Sequence, residues 1–271
     1  MNILGAPTNL GLKPYDEDGT ARGTTLAPAR YRDHGIVPRL GARDLGDVPA
    51  AAYRDFTRLP GTVRNEDLVL DHTHALAAKI AETEDGFTIA LGGDCSILFG
   101  NLLGHRRRRG ELGLIYIDGH DDANTPATSE TGGTAGMDLA IATGHGDTPL
   151  ARLTGNGPLV REEHIVTFGI RDRPTHFRAA ASAADALQVL GDRDFFIHFD
   201  VDALDPEFMP FVDEPVPGGF TPDALASLLA QLVHHPRAVG MEVTIYDPKQ
   251  DPEGRGAALI VEILENAFAV R

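Results

Sequence analysis

Two short stretches of this chain place acidic and imidazole groups at alternate positions where an apolar run ends. In Ile117–Asn124, which reads I-D-G-H-D-D-A-N, Asp118, His120 and Asp122 fall two residues apart, with a further acid, Asp121, between them. In Phe196–Pro206, which reads F-I-H-F-D-V-D-A-L-D-P, Asp200 and Asp202 repeat the spacing and Asp205-Pro206 turns the chain away. A strand sends every other side chain to one face, so this spacing aims carboxylates and an imidazole at one point. Like carboxylates repel, and a dry charge must be paired, so such groups call for a cation. One such stretch alone could be a solvated acidic loop after a strand. Two of them, one including His120, are far more specific. Oxygen donors with a little nitrogen suit manganese, magnesium or iron better than zinc. The number of acids suggests two ions with bridging carboxylates. Two ions roughly 3.5–4 Å apart can share a water and bring its pKa from about 15.7 toward about 7. The reaction so implied is hydrolysis by a metal-bound hydroxide.

The elements that must position these groups alternate along the chain. Asn2–Ala6 reads as a first buried strand, and Thr8–Thr25 as a long loop lining something. Ala27–Arg32 reads as a short helix closed by Gly35, with a second strand near Ile36–Leu40; Ala42–Asn65 carries no assignable pattern. Glu66–Thr83 is an amphipathic helix, with Leu68, Leu70, His74, Leu76 and Ile80 near helical spacing. Phe87–Leu91 is a strand ending in Gly92-Gly93-Asp94-Cys95-Ser96, and Ser96–Arg109 a helix stopped by Gly110. The basic run Arg106–Arg109 fits a solvated helix C-terminus, where cations complement the helix dipole. Leu112–Asp118 is the next strand. Asn124–Gly136 is a loop rich in Thr, Ser and Gly, able to offer many small hydrogen-bonding groups. Strands at Ile165–Gly169, Phe195–Asp200 and Ala238–Ile245 alternate with helices at Ala179–Leu190, Pro222–His234 and Ala257–Ala269. Apolar strands alternating with helices predict an α/β fold with a parallel sheet covered on both faces. Ligands then bind beyond the carboxyl ends of the strands, where every acidic or glycine-rich cluster of this chain falls.

Composition bounds the rest. The 271 residues suffice for a substantial core, and without a repeat or linker they predict one domain over 1–271. Hydrophobic content of 42% and charged content of 24% are those of an ordinary soluble protein. A formal charge of −16 argues against a nucleic-acid or anionic-membrane partner, since both need a basic footprint. A single cysteine, Cys95, excludes an internal disulfide framework and fits a reducing compartment. No apolar run is long enough to span a bilayer, and Met1 leads straight into a strand-like segment without a signal peptide, so the expected location is the cytoplasm.

The motifs also carry a resemblance. Gly92-Gly93-Asp94-Cys95-Ser96, Asp118–Asn124, Asp200–Pro206 and Val239–Pro248, in this order and spacing, resemble the arginase/agmatinase (ureohydrolase) superfamily over nearly the whole chain. The resemblance implies a three-layer α/β/α fold with a mostly parallel sheet, two divalent ions, usually manganese, and hydrolysis of guanidino or amidino C–N bonds. It implies Asp118 and Asp200 as bridging carboxylates, Asp122 as a ligand of one ion, His120 and Asp202 as ligands of the other, and Cys95 at a further ligand position. Asp122 would also accept a hydrogen bond from the bridging hydroxide, making it, with His120, a catalytic residue. Asn124, Ser129 and Thr131 align with the polar contacts to an amino-acid substrate, and Asp172 with a contact to its α-amino group. The family often forms trimers or hexamers, so a homo-oligomer is allowed.

Three positions depart from the family pattern. Cys95 stands at the usual histidine of G-G-D-H; it is either a softer ligand, leaving one ion weakly held, or a small buried apolar residue. Ala135 stands at the histidine that shuttles protons near the leaving amine, a type of role that typically contributes about 10²–10⁴-fold. His145 and His198 are the candidates to substitute, each also readable as structural. The glutamate that pairs with the substrate guanidinium has two registers: without gaps Ile245 falls there, and with a shift Glu242 does, which would place Glu242 among the catalytic and substrate-binding residues. An apolar Ile245 would leave a cation unpaired in a dry site. The leading expectation is a binuclear-metal hydrolase acting on a small arginine-like molecule. An N-hydroxylated or otherwise modified arginine of specialised metabolism, or a metal-binding protein without turnover, are its alternatives.

Overall fold

The computed structural model describes residues 1–54, 57–84, 86–155 and 157–269. Seven strands make one sheet: β1 (Asn2–Ala6), β2 (Arg43–Asp47), β3 (Thr88–Gly92), β4 (Gly113–Ile117), β5 (Ile165–Phe168), β6 (Phe195–Asp200) and β7 (Ala238–Thr244). Their order is β2-β1-β3-β7-β6-β4-β5, and every neighbouring pair is parallel. The helices are α1 (Ala27–Asp33), α2 (Ile36–Arg39), α3 (Glu66–Glu82), α4 (Ile97–Arg109), α5 (Asp138–Ala142), α6 (Ala183–Leu190), α7 (Pro222–Val233) and α8 (Arg255–Phe268). Alternation along the strands divides the core in two. Ile115 and Ile117 join Tyr31, Ala186, Leu229 and Ile260 on the α1, α6, α7 and α8 side. Leu114 and Tyr116 join Ala77, Phe99 and Leu102 on the α3–α4 side. The result is a three-layer α/β/α arrangement in which the carboxyl ends of all seven strands share one edge.

Four expectations are corrected. Ile36–Leu40 is not a strand: Gly35 takes φ of 77°, and Ile36–Arg39 forms a single helical turn with Ile36 buried. The strand lies in the segment where no pattern was visible. β2 reads R-D-L-G-D and is mostly exposed, as a charged edge strand is, so it carries no apolar alternation. It is held by pairing with β1 and by Arg32, which reaches Asp44 at 2.8 Å and Asp47 at 2.7 Å. In α3 the buried stripe is Val69, His72, Thr73, Leu76, Ala77 and Ile80, so His74 faces solvent. Helix α6 starts only at Ala183, where the Ser182 side chain accepts from the Asp185 N–H as an N-cap.

After β3 the chain must pass very close to the loop that follows β1. A Cβ on Gly93 would stand 1.8 Å from the Thr8 carbonyl oxygen. Gly93 also accepts a 2.7 Å hydrogen bond from the Ile245 N–H, and Asp94 accepts from the Gly11 N–H at 3.2 Å. Three strand ends are thereby tied together beside the acidic clusters. Gly93→Ala should destabilise the fold by about 1–3 kcal/mol, the usual cost of overpacking; an unchanged thermal midpoint would contradict this.

Candidate metal centre

Asp118 follows β4 and is fully buried. Its Oδ1 accepts the His120 N–H at 2.7 Å, a local turn that brings the imidazole back over the strand end. His120 Nδ1 then lies 2.9 Å from Asp202 Oδ2 and 3.7 Å from Asp118 Oδ1. Asp200 closes β6; its Oδ1 accepts the Asp202 N–H at 2.8 Å, while Asp202 Oδ1 accepts the Gly119 N–H at 2.9 Å. Asp200 Oδ2 accepts from Cys95 Sγ at 2.9 Å and from Thr244 Oγ1 at 3.2 Å. The ends of β3, β4, β6 and β7 thus contribute to one polar cluster. Asp122 holds φ of 38°, a conformation uncommon for a residue other than glycine, and the Tyr116 hydroxyl donates to its Oδ2 at 3.2 Å and to Asp138 Oδ1 at 2.9 Å.

The charges in this cluster do not balance without cations. Burial disfavours ionisation of Asp118, yet the imidazoles of His120 and His198 beside it hold its carboxyl below the usual range. Burial also disfavours a charged His120, but Asp118 and Asp202 push its pKa up to about 12. Asp122, Asp200 and Asp202 are raised by burial and by the carboxylates around them. Burial, with Asp200 beside it, also pushes the Cys95 thiol well up. These shifts share one cause, carboxylates and a thiol crowded together out of water. Asp118 Oδ2, Asp138 Oδ2 and His198 Nε2 are buried without a hydrogen-bond partner. Two sets of donor atoms, from Cys95, His198 and Asp200 and from Asp118, His120 and Asp202, each lie within 4.8 Å of one another. Donor chemistry, crowding and orphaned atoms all fit two divalent cations.

Above this floor lies a cleft of about 470 Å³. His120, Asp122, Asp200 and Asp202 line its base, and Asn124, Ser129, Thr131 and Asp172 its walls, so the structure gathers these predicted residues around one space. Ala135 and Ile245 line it as well. Ile245 takes φ of 72°, a strained conformation for a β-branched residue, so two of the three positive-φ non-glycine residues among those described border the cleft.

Glu242 is not among the cleft-lining residues. It lies three positions before Ile245, in register with His198 of β6, fully buried, and accepts from Asn101 Nδ2 at 2.6 Å. Its carboxylate meets His198 Nδ1 at 2.6 Å. Glu242 therefore does not face the cleft, as a guanidinium partner would have to, whereas Ile245 lines its wall. His145 is exposed and paired with Glu162 at 2.6 Å, and His198 lies beneath the carboxylates, so neither stands where Ala135 leaves a gap. Arg173, Tyr116 and Asp138 were not indicated by any motif. Arg173 lines the cleft, with its Nε 2.6 Å from Asp121 Oδ1 and its Nη1 3.4 Å from Asn124 Oδ1. Tyr116 and Asp138 are brought together only by packing between β4 and α5.

Comparison with known proteins decides the family. The sequence profile of the Arginase family matches residues 2–184 and 173–269. The chain belongs to the arginase family. It is accordingly a metal-dependent hydrolase of the ureohydrolase type. It is 28% identical to the arginase of Bacillus caldovelox over 298 residues, covering 99% of this chain and 97% of that one. The solved structure of that arginase superposes with a TM-score of 0.88 at 27% identity, covering 100% of this chain and 98% of the other. Arginase from Bacillus subtilis gives 0.86 at 26%, covering 100% and 98%. Proclavaminate amidino hydrolase from Streptomyces clavuligerus shares the fold, with a TM-score of 0.72 at 18% identity, covering 98% and 89%. No helix among the described residues is long and apolar enough to cross a membrane.

This arginase-family centre has a defined pH signature. Asp122, Asp200 and Asp202 have folded-state pKa values above those of the unfolded chain, so the metal-free fold binds more protons than the unfolded chain. Its stability from these groups therefore increases as pH falls toward the unfolded carboxylate value of about 3.9. Cations must displace the same protons, so their contribution changes in the opposite direction. The rise in thermal midpoint caused by manganese should be largest near pH 8 and shrink toward pH 5; a rise independent of pH would contradict the assignment.

Proposed function

We propose that the chain is a binuclear hydrolase, with manganese as its ions, that cleaves a C–N bond of an arginine-like guanidino or amidino compound. The observation that carries this reading is the convergence of His120, Asp122, Asp200 and Asp202 at the base of a cleft, with Asp118 buried beside them and Asn124, Ser129, Thr131 and Asp172 on its walls. Cys95, Asp118, Asp122 and Asp200 would hold one ion, and Asp118, His120, Asp200 and Asp202 the other. Such ions would lower the pKa of coordinated water and so supply a hydroxide nucleophile. Asp122 is oriented by Tyr116 and accepts a proton from the attacking water at its carboxylate. His120 is fixed by Asp202 and Asp118 at the base of the cleft. Asn124, Ser129 and Thr131 bind the carboxylate end of the substrate with Arg173 alongside, and Asp172 takes the α-amino group. Val216 and Leu204 carbonyls hold Arg171, which also donates to the Asp202 carbonyl at 2.7 Å and so fixes the loop beneath.

A second reading narrows the substrate to an N-hydroxylated or otherwise modified arginine. Two observations favour it: no histidine stands at Ala135 to protonate a leaving amine, and Ile245 offers a buried apolar wall where a plain guanidinium would need a carboxylate. A less basic leaving group needs less protonation, and a less basic guanidine needs no ion pair.

Urea, hydroxyurea or ammonia release by the manganese-loaded protein across a panel of guanidines, hydroxyguanidines and amidines tests both. Product from at least one member is expected, with N-hydroxyarginine turned over faster than arginine. No product from any member would favour a binding protein without turnover. Asp122→Asn should lower kcat by about 10²–10⁴-fold, the usual contribution of a positioned proton acceptor. Asp172→Ala should raise KM by about 10–100-fold, the loss of one hydrogen bond to a charged group, with kcat little changed. A loss confined to kcat would contradict the role of Asp172 in binding.

A further inference from the structure

Behind the carboxylates, one row of side chains crosses the middle of the sheet. Tyr116 of β4, His198 of β6 and Glu242 of β7 are register partners on neighbouring strands, on the side facing α4. The Tyr116 and His198 rings stack with centroids 4.3 Å apart and planes within 9°, which fixes the plane of the imidazole. Glu242 fixes its rotation: one carboxylate oxygen meets His198 Nδ1 at 2.6 Å, and the other accepts from Asn101 Nδ2 at 2.6 Å. All of this leaves Nε2 pointed at the metal centre. It is fully buried and makes no hydrogen bond; its polar neighbour is Asp118 Oδ2, an ion-pair contact at 3.5 Å whose oxygen likewise makes none. A His198 ring nitrogen, Cys95 Sγ and an Asp200 oxygen lie within 4.8 Å of one another. A histidine that merely filled the core would be expected to have both nitrogens satisfied, because an unpaired buried polar atom is costly.

We propose that His198 Nε2 is a ligand of the ion on the Cys95 side of the centre, oriented by Glu242 and Asn101. The inference rests on the binuclear reading above and adds to it a ligand from within β6. Metal-binding histidines donate their other ring N–H to a carboxylate, which sets the tautomer and leaves the second nitrogen free to bind. His198 and Glu242 have that arrangement. The chemistry of the site is altered as well. A thiol alone is a soft donor that draws a site away from manganese, and an added imidazole beside Asp118 and Asp200 restores a donor set that manganese accepts. Glu242 thus acts as a positioning residue behind the metal and not as a partner of the substrate.

Crystals of the manganese-loaded protein, with data at the manganese edge, test this directly. The expected result is an anomalous peak about 2.1 Å from His198 Nε2. In solution, His198→Asn should weaken binding of one manganese ion by more than about 10-fold and leave the other in place. Glu242→Gln should weaken the same ion by about 10–100-fold, the usual effect of losing an outer partner. Two ions bound with Nε2 farther than about 3 Å from both would overturn the role of His198 and leave the binuclear reading intact. No ion bound at all would overturn both. Should His198→Asn fail to fold, the anomalous map of the unaltered protein still decides.

Discussion

Like charges buried in one place must be neutralised, and much of this structure follows from that constraint. Asp118, Asp200 and Asp202 are almost completely buried within hydrogen-bonding range of the same few groups. Burial and mutual repulsion push the carboxyls of Asp200 and Asp202 up, while the imidazoles of His120 and His198 hold that of Asp118 down. A cluster of this kind destabilises the fold unless something positive occupies it. The surrounding architecture is arranged to tolerate it: a wholly parallel sheet brings four strand ends together, backbone N–H groups of Gly119, His120 and Asp202 satisfy carboxylate oxygens, and Arg171 clamps the loop beneath. The positive φ values of Asp122 and Ile245 show local backbone strain at the same edge, where functional sites commonly store it.

The parts of this arrangement that are local in sequence were legible there. The spacing of two marks the acidic groups, but strand alternation is not what gathers them: Asp118 directly follows β4, His120 folds back to Asp118 and Asp202 through a turn, Asp122 takes a φ of 38°, and Asp202 lies in a 3₁₀ turn after β6. The central strands were legible because burial on both faces makes them continuously apolar. The edge strand Arg43–Asp47 was not, because it is exposed and charged and owes its conformation to pairing with Asn2–Ala6 and to Arg32. The two registers for Glu242 and Ile245 are indistinguishable in the sequence for a different reason. Sequence alone cannot say how deep in a strand a residue lies, and only pairing with His198 shows that Glu242 is buried three residues below the cleft. Tyr116, Asp138 and Arg173 were invisible because their roles arise from contacts between elements far apart in the chain.

The metal side and the substrate side of the cleft diverge. The base keeps a donor set that fits two cations. The walls carry the small polar side chains of Asn124, Ser129 and Thr131, with Ala135 and Ile245 beside them. On the proposed reading the two positions change together, since both would serve a strongly basic guanidine. Cys95 belongs to the metal side, where His198 stands beside it with a free nitrogen.

The central claim is a centre for two divalent ions, and equilibrium dialysis against excess manganese, with elemental mass spectrometry of the protein, measures it most directly. Two manganese ions per chain are predicted. One ion or none under saturating conditions would contradict the account.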